Sequence, residues 1–162
     1  MELSIDRILE HMGNPRFGLP EPLFLMISRM TPLVNVDLLI KDEQQQTLLT
    51  WRDDQFYGPG WHIPGGIIRF KEPALARVAR VAELELGSTV EADPEPLVVR
   101  EIMSDSRDER GHFISLLYNC RLTAGLDFSR RAGDTPLVGQ WKWHRFCPLD
   151  LIDQHRCYQN LF

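Results

Sequence analysis

Apolar residues recur at helical spacing over residues 3–12. Leu3, Ile5, Ile8, Leu9 and Met12 mark one face, and Gly13 with Pro15 stops the run. The pattern predicts a short amphipathic helix, followed over residues 14–22 by an irregular connector with three prolines. Residues 23–30 are apolar enough for either a strand or a helix, and periodicity does not choose. From residue 32 the texture changes. Residues 33–41 and 47–52 read as strands around a polar turn at 42–46, and a Gly/Pro-dense segment runs from Tyr57 to Gly66. Residues 67–70 are short and extended. Residues 73–86 are the best helix of the chain, with Pro73 in the first turn, frequent alanines, and Gly87 to close it. Strands are predicted over 96–104 and 112–122, linked by a charged loop at 105–111. A last strand over 139–145 leads into a C-terminal helix started by Pro148. Trp141 and Trp143 alternate with polar neighbours, as strand residues with one buried face do.

Strands on both sides of one strong helix, with another helix at the end, predict an α+β sandwich. Its helix 73–86 lies on one side of a mixed sheet and the C-terminal helix on the other. The chain divides into residues 1–30, a helix and connector, and residues 31–162, a single domain. At 162 residues and 43% hydrophobic there is material for a core, and no apolar run has the length of a membrane span. Eighteen Lys plus Arg against 23 Asp plus Glu give a net charge of −5, which argues against a nucleic-acid binder. Cys120, Cys147 and Cys157 have no metal-ligand spacing and read as reduced thiols of a cytoplasmic protein. The N-terminal residues lack the basic and apolar regions of a secretory signal. The first helix and the apolar residues 23–27 are the surfaces on which a homodimer would form.

The chemistry concentrates between residues 60 and 88. Gly65 and Gly66 precede the strong helix, and without a Cβ they allow close approach of a ligand. Glu72 follows Gly66 after five residues and Arg80 follows Glu72 after seven, before Glu83, Glu85 and Gly87. A helix carboxylate opposite a Gly-Gly loop suits a hard divalent cation. The run Gly-Trp-His-Ile-Pro-Gly-Gly, then x5-Glu-x7-Arg, ending Glu-Leu-Gly, resembles the Nudix hydrolase signature, G-x5-E-x7-R-E-U-x-E-E-x-G-U with U aliphatic. Gly66, Glu72, Arg80, Glu85 and Gly87 match it. Val81, Leu84 and Ser88 depart from it, so the box is degenerate.

Within that superfamily the chain is most similar to GDP-mannose mannosyl hydrolases, which also lack two glutamates of the common box. Residues 31–37, with Asp37, and 48–52, with Arg52, resemble that family's first strands. The resemblance implies a Mg²⁺-dependent hydrolase that acts on a nucleotide sugar such as GDP-mannose and releases sugar and nucleoside diphosphate. It implies Glu85 and the Gly65 carbonyl as metal ligands and Arg52 as a diphosphate fork. Asp37 is expected either to pair with Arg52 or to bind a sugar hydroxyl. Glu72 and Arg80 are implied to form a structural ion pair. Two of that family's working residues are unmatched: Ile67 stands where an arginine meets the leaving diphosphate, and Val138 where a histidine acts as base. Substitute bases are sought at His62 and His112, then at Asp105, Asp108 and Glu109. The alternatives are a diphosphohydrolase that attacks phosphorus and a non-catalytic nucleotide binder.

Overall fold

The computed structural model describes residues 5–162, so Leu3, on the predicted first helix, lies outside the described residues. Helix α1, Ile5–Met12, buries none of its residues and leaves Ile5 and Leu9 exposed. A 3-10 turn, Pro15–Phe17, capped by the Asn14 side chain, leads to helix α2, Glu21–Ser28. The undecided apolar run is therefore helical: Pro22 sits in its first turn, where no backbone donor is needed.

Two sheets follow. The larger holds β1 (Leu33–Ile40), β4 (Gly65–Ile67), β5 (Val90–Ala92), β6 (Val98–Met103) and β7 (His112–Leu122). β1 runs parallel to β7, with Leu33 beside Phe113 and Ile40 beside Cys120, and antiparallel to β4, with Asp37 beside Gly65. β5 and β6 pair with successive stretches of β7. The smaller sheet has β2 (Thr47–Arg52) between β3 (Gly60–His62) and β8 (Trp141–His144). The α+β sandwich expected from the sequence is the observed architecture. Strand β5 escaped the sequence reading because three residues, Val-Glu-Ala, are too short for a period.

The long helix is two things joined. Helix α3, Ala74–Val81, begins after Pro73, which stands extended at the cap. It then loosens into a π-turn, Ala82–Leu86, which Gly87 ends at φ 61°. Val78, Val81, Ala82 and Leu86 pack on Val36, Leu38, Ile40, Leu48, Tyr118 and Trp141. The second core layer, Leu39, Leu49, Trp61, Ile63 and Leu117, is covered by Leu151 and Tyr158. Tyr158 belongs to a C-terminal 3-10 helix, Asp153–Leu161. It starts later than Pro148 predicts because Leu151 first forms a bridge with Trp61. Among the described residues no helix is long and apolar enough to cross a membrane.

Candidate functional site

A cleft opens where β1, β2, β3 and β4 meet the π-turn. A larger cavity of about 630 Å³ is lined by Thr50, Arg52, Glu85, Leu84, Val138 and Gly139 among others. A smaller one beside it is lined by Asn35, Asp37, Tyr57, Phe113 and His155. Arg52, His62, Gly65, Gly66, Ile67 and Arg110 belong to both, so the two form one continuous site.

Its floor is the Gly65–Gly66 pair, and sterics explain why. A Cβ at position 65 would stand 2.3 Å from Asp37 Oδ1, and one at position 66 would stand 2.8 Å from Val81 Cγ2. Val81, which departs from the family signature, is a packing residue under the glycines. Leu84 is half exposed at the rim of the cleft.

Glu85 is brought to this floor by the π-turn, the kind of helix irregularity found often at functional sites. Its Oε2 accepts from the Thr50 hydroxyl at 3.0 Å and its Oε1 from the Gly65 N–H at 3.3 Å. Burial pushes its pKa up to about 7, against the lowering effect of those two donors and of Arg52. Among the described residues no group of three or more His, Cys, Asp or Glu side chains is placed to hold a metal ion. The donor set, one carboxylate with one backbone peptide against it, therefore suits a magnesium ion only if a substrate's phosphate oxygens complete the coordination.

Two buried histidines flank the floor, and the sequence reading had singled out only one. Thr50 and His62 are cross-strand partners, and His62 Nε2 lies 2.9 Å from Thr50 Oγ1 and 3.7 Å from Glu85 Oε2. His62 Nδ1 lies 2.9 Å from the Ile63 carbonyl oxygen, to which it can only donate. The neutral ring therefore keeps its lone pair on Nε2, where it competes with Glu85 Oε2 for the single Thr50 hydroxyl proton. His155 was missed because it lies in a helix remote in sequence with no motif around it. Its Nδ1 accepts the Ile63 N–H at 2.9 Å, so its proton sits on Nε2, 3.9 Å from Asp37 Oδ1. One residue's peptide groups thus fix opposite tautomers in two rings. Burial lowers both pKa values, that of His62 well below the usual histidine value.

Asp37 is 1% exposed and does not pair with Arg52. It accepts from Asn35 Nδ2 at 3.0 Å and from the Ser115 hydroxyl, which itself accepts from Tyr158 at 2.8 Å. That network ties β1 to β7 and the C-terminal helix. Arg52 pairs instead with Asp54 two residues on, and its guanidinium lies over Tyr57, 4.6 Å from the ring centroid.

Three expectations need correction. Glu72 does not pair with Arg80. Its Oε2 accepts from Arg77 Nε at 2.8 Å and from the Arg69 N–H at 2.8 Å, and the Arg77 side chain is 6% exposed. Arg77 lies on the buried face of α3, toward Glu72 before the helix, whereas Arg80 points outward to Glu83, where both side chains are more than half exposed. His112 is not at the cleft: it starts β7 on the far side of the β6–β7 loop and meets Glu101 at 3.1 Å in solvent. Asp105, Asp108 and Glu109 are also elsewhere, the last two turned toward Arg29.

A box glutamate and a Gly-Gly loop facing each other across such a cleft are what the Nudix signature describes, and the family comparison agrees. Residues 31–157 match the NUDIX domain, and the chain belongs to that family. No curated protein matches it. Among solved structures it resembles a MutT NUDIX hydrolase from Burkholderia pseudomallei, with TM-score 0.64 and 22% identity over 81% of this chain and 98% of that one. It also resembles a UDP-X diphosphatase (0.59, 16%, over 98% and 75%). A third is an ADP-ribose pyrophosphatase from Streptococcus suis (0.54, 20%, over 81% and 89%). At these identities the likeness is one of fold.

Proposed function

We propose that the protein hydrolyses a nucleoside diphosphate sugar in this cleft, breaking the bond at the sugar carbon and releasing sugar and nucleoside diphosphate. GDP-mannose is the substrate that the sequence resemblance favours. The observation that carries the reading is the composition of the cleft: one helix carboxylate, Glu85, shares it with Arg52 and Arg110, with Leu84 and Val81 where the signature has further acids. Such a site is short of ligands for attack at phosphorus organised by several metal ions. It is well provided with cations that stabilise a departing, intact diphosphate.

Glu85 and the Gly65 carbonyl would hold Mg²⁺, which when bound neutralises charge on the leaving diphosphate. Arg52 swings its fork from Asp54 to a phosphate, an exchange of one charge-assisted pair for another. Thr50 and the Gly65 N–H keep the Glu85 carboxylate aimed into the cleft. Proton acceptance falls to His62 Nε2, a weak base because the ring is buried. His155 cannot take this role, since its Nδ1 lone pair is spent on Ile63. Val138, at the cleft rim, carries no base. Turnover is therefore slow, because general-base assistance typically contributes about 10²–10⁴-fold, and electrostatic stabilisation carries most of the rate.

The test is product analysis after incubation with Mg²⁺ and GDP-mannose, with ADP-ribose and a UDP-sugar alongside. Nucleoside diphosphate plus free sugar is expected. Nucleoside monophosphate plus sugar phosphate would move the reading to attack at phosphorus. Binding with no product would leave a nucleotide-binding domain.

A further inference from the structure

Beside the cleft, three guanidinium groups gather on one aromatic ring. Arg107 lies 4.2 Å from the Tyr57 ring centroid, Arg52 4.6 Å and Arg110 5.4 Å, and Arg110 also lies 4.8 Å from the Phe56 centroid. Arg52 has Asp54, but neither Arg107 nor Arg110 has a carboxylate partner among the described residues. Arg110 Nε and Arg107 Nη1 are buried with no hydrogen-bond acceptor. Unpaired buried donors on charged groups are costly, and an anion in the cleft that Arg110 lines would offset that cost.

The backbone around Arg110 is fixed from three sides. Its N–H donates to Ser28 Oγ at 3.0 Å and its carbonyl accepts from the Tyr57 hydroxyl at 2.7 Å. Its φ of 50° is in the left-handed region, uncommon for a residue with a side chain. The loop closes through the Ser104 N–H on the Gly111 carbonyl at 2.7 Å, and a Cβ at position 111 would stand 2.4 Å from the Arg107 carbonyl oxygen. Strain held by surrounding contacts in this way marks a residue whose placement matters. The loop's Asp108 and Glu109 face Arg29 rather than the cluster, which leaves Asp54, paired with Arg52, against three guanidinium groups.

We propose that Arg110 is a diphosphate-binding residue of the cleft, with Arg107 behind it on Tyr57 reinforcing the positive field. Arg110 and Ile67 line the same two cavities. An arginine on the β6–β7 loop thus brings a cation to a cleft that Ile67 lines with an apolar side chain. Helix α2 takes part through Ser28, which links the N-terminal segment to substrate recognition. The inference rests on the cleft being the nucleotide site, and it deepens that reading by assigning the group that Arg110 recognises.

The test measures binding by titration calorimetry of the full chain with inorganic pyrophosphate and with GDP, using guanosine as the probe without phosphate. Arg110→Gln is expected to weaken both phosphate ligands by about tenfold or more, the loss of a charge-assisted fork, and to leave guanosine unchanged. Arg121→Gln, an exposed arginine paired with Glu91 far from the cleft, should change none of them. If Arg110→Gln lowers the denaturant midpoint too far for titration, Arg110→Lys is decisive. It keeps the charge but loses the planar fork, so intermediate affinity is expected and wild-type affinity would overturn the proposal. Pyrophosphate and GDP binding unchanged in Arg110→Gln would also overturn it. Turnover separates the two readings. Arg110-dependent binding without hydrolysis removes the hydrolase and keeps this assignment. Hydrolysis with KM unchanged in Arg110→Gln does the reverse.

Discussion

The two walls of the cleft are built on opposite principles. On the helix wall, charge has been withdrawn: Val81 packs beneath Gly66, Leu84 sits at the rim, and Glu85 is the acid that reaches the site. The buried pair on that side, Arg77 with Glu72, is directed at the Gly-Gly loop's approach to the helix and serves as scaffold. On the strand and loop wall, charge has been concentrated, with three arginines on Tyr57 against a single ion-pair partner among the described residues, Asp54. The difference teaches where this protein would meet a diphosphate. On the proposed reading, fewer acids would recruit fewer cations from solution, and side-chain cations fixed by the fold would take over part of that work. Guanidinium groups need no second ligand set and can be held at a stated place by stacking and backbone contacts.

Breaking the scaffold of the helix wall should have the largest effect. Arg77→Ala leaves Glu72 partly buried and unpaired, and is expected to lower stability by about 3–5 kcal/mol. Arg80→Ala, which loses only a solvent-exposed pair with Glu83, should cost about 1 kcal/mol or less. Urea midpoints of the two variants check this directly, and equal losses would return the structural role to Arg80.

The next test separates the chemistry of Glu85 from its cost to the fold. A carboxylate with its pKa raised by burial binds its proton more tightly in the folded chain than in the unfolded one. Its contribution is complete below the unfolded value near 4.5 and is lost as pH rises to about 7. In chelator, Glu85→Gln should therefore be more stable than wild type by about 1–3 kcal/mol at pH 8, and the gap should shrink toward pH 4. The same variant should lose Mg²⁺-dependent activity. A pH-independent gap would mean that Glu85 is not the strained group of this wall.

The smallest expected change sharpens the contrast by reversing it. Leu84→Glu places a carboxylate at the half-exposed rim beside Glu85. It should tighten Mg²⁺ binding in the absence of nucleotide by a few-fold, with little change in stability, since an exposed substitution typically moves it by about 0.5 kcal/mol or less. Calorimetry with Mg²⁺ alone reads this, and no gain would show that the rim side chain does not face the ion.

Much of this protein is legible in the amino-acid sequence because the deciding signals are local. The alternation in residues 33–41 and 47–52 and the Gly-Gly before the 73–86 helix are statements about neighbouring residues, and they specify strands, helix and box without tertiary knowledge. Glu85 is legible only as a position of the box, because the π-turn that carries its side chain to the glycines is a feature of the folded chain. Other features were settled only by packing. Arg77 and Arg80 are both arginines one turn apart, and which one meets Glu72 depends on which helix face the sheet covers. The helix over residues 21–28 and the π-turn at 82–86 are set by what they rest against, because short apolar runs carry no decisive period. His155, Arg110 and Tyr57 reach the cleft from segments far apart in the chain, as the Tyr57–Arg110 contact across 53 residues shows. A sequence lists such residues but does not bring them together. Hydrogen bonds and ring stacking act over a few ångströms, and only the folded chain determines which distant side chains come within that range.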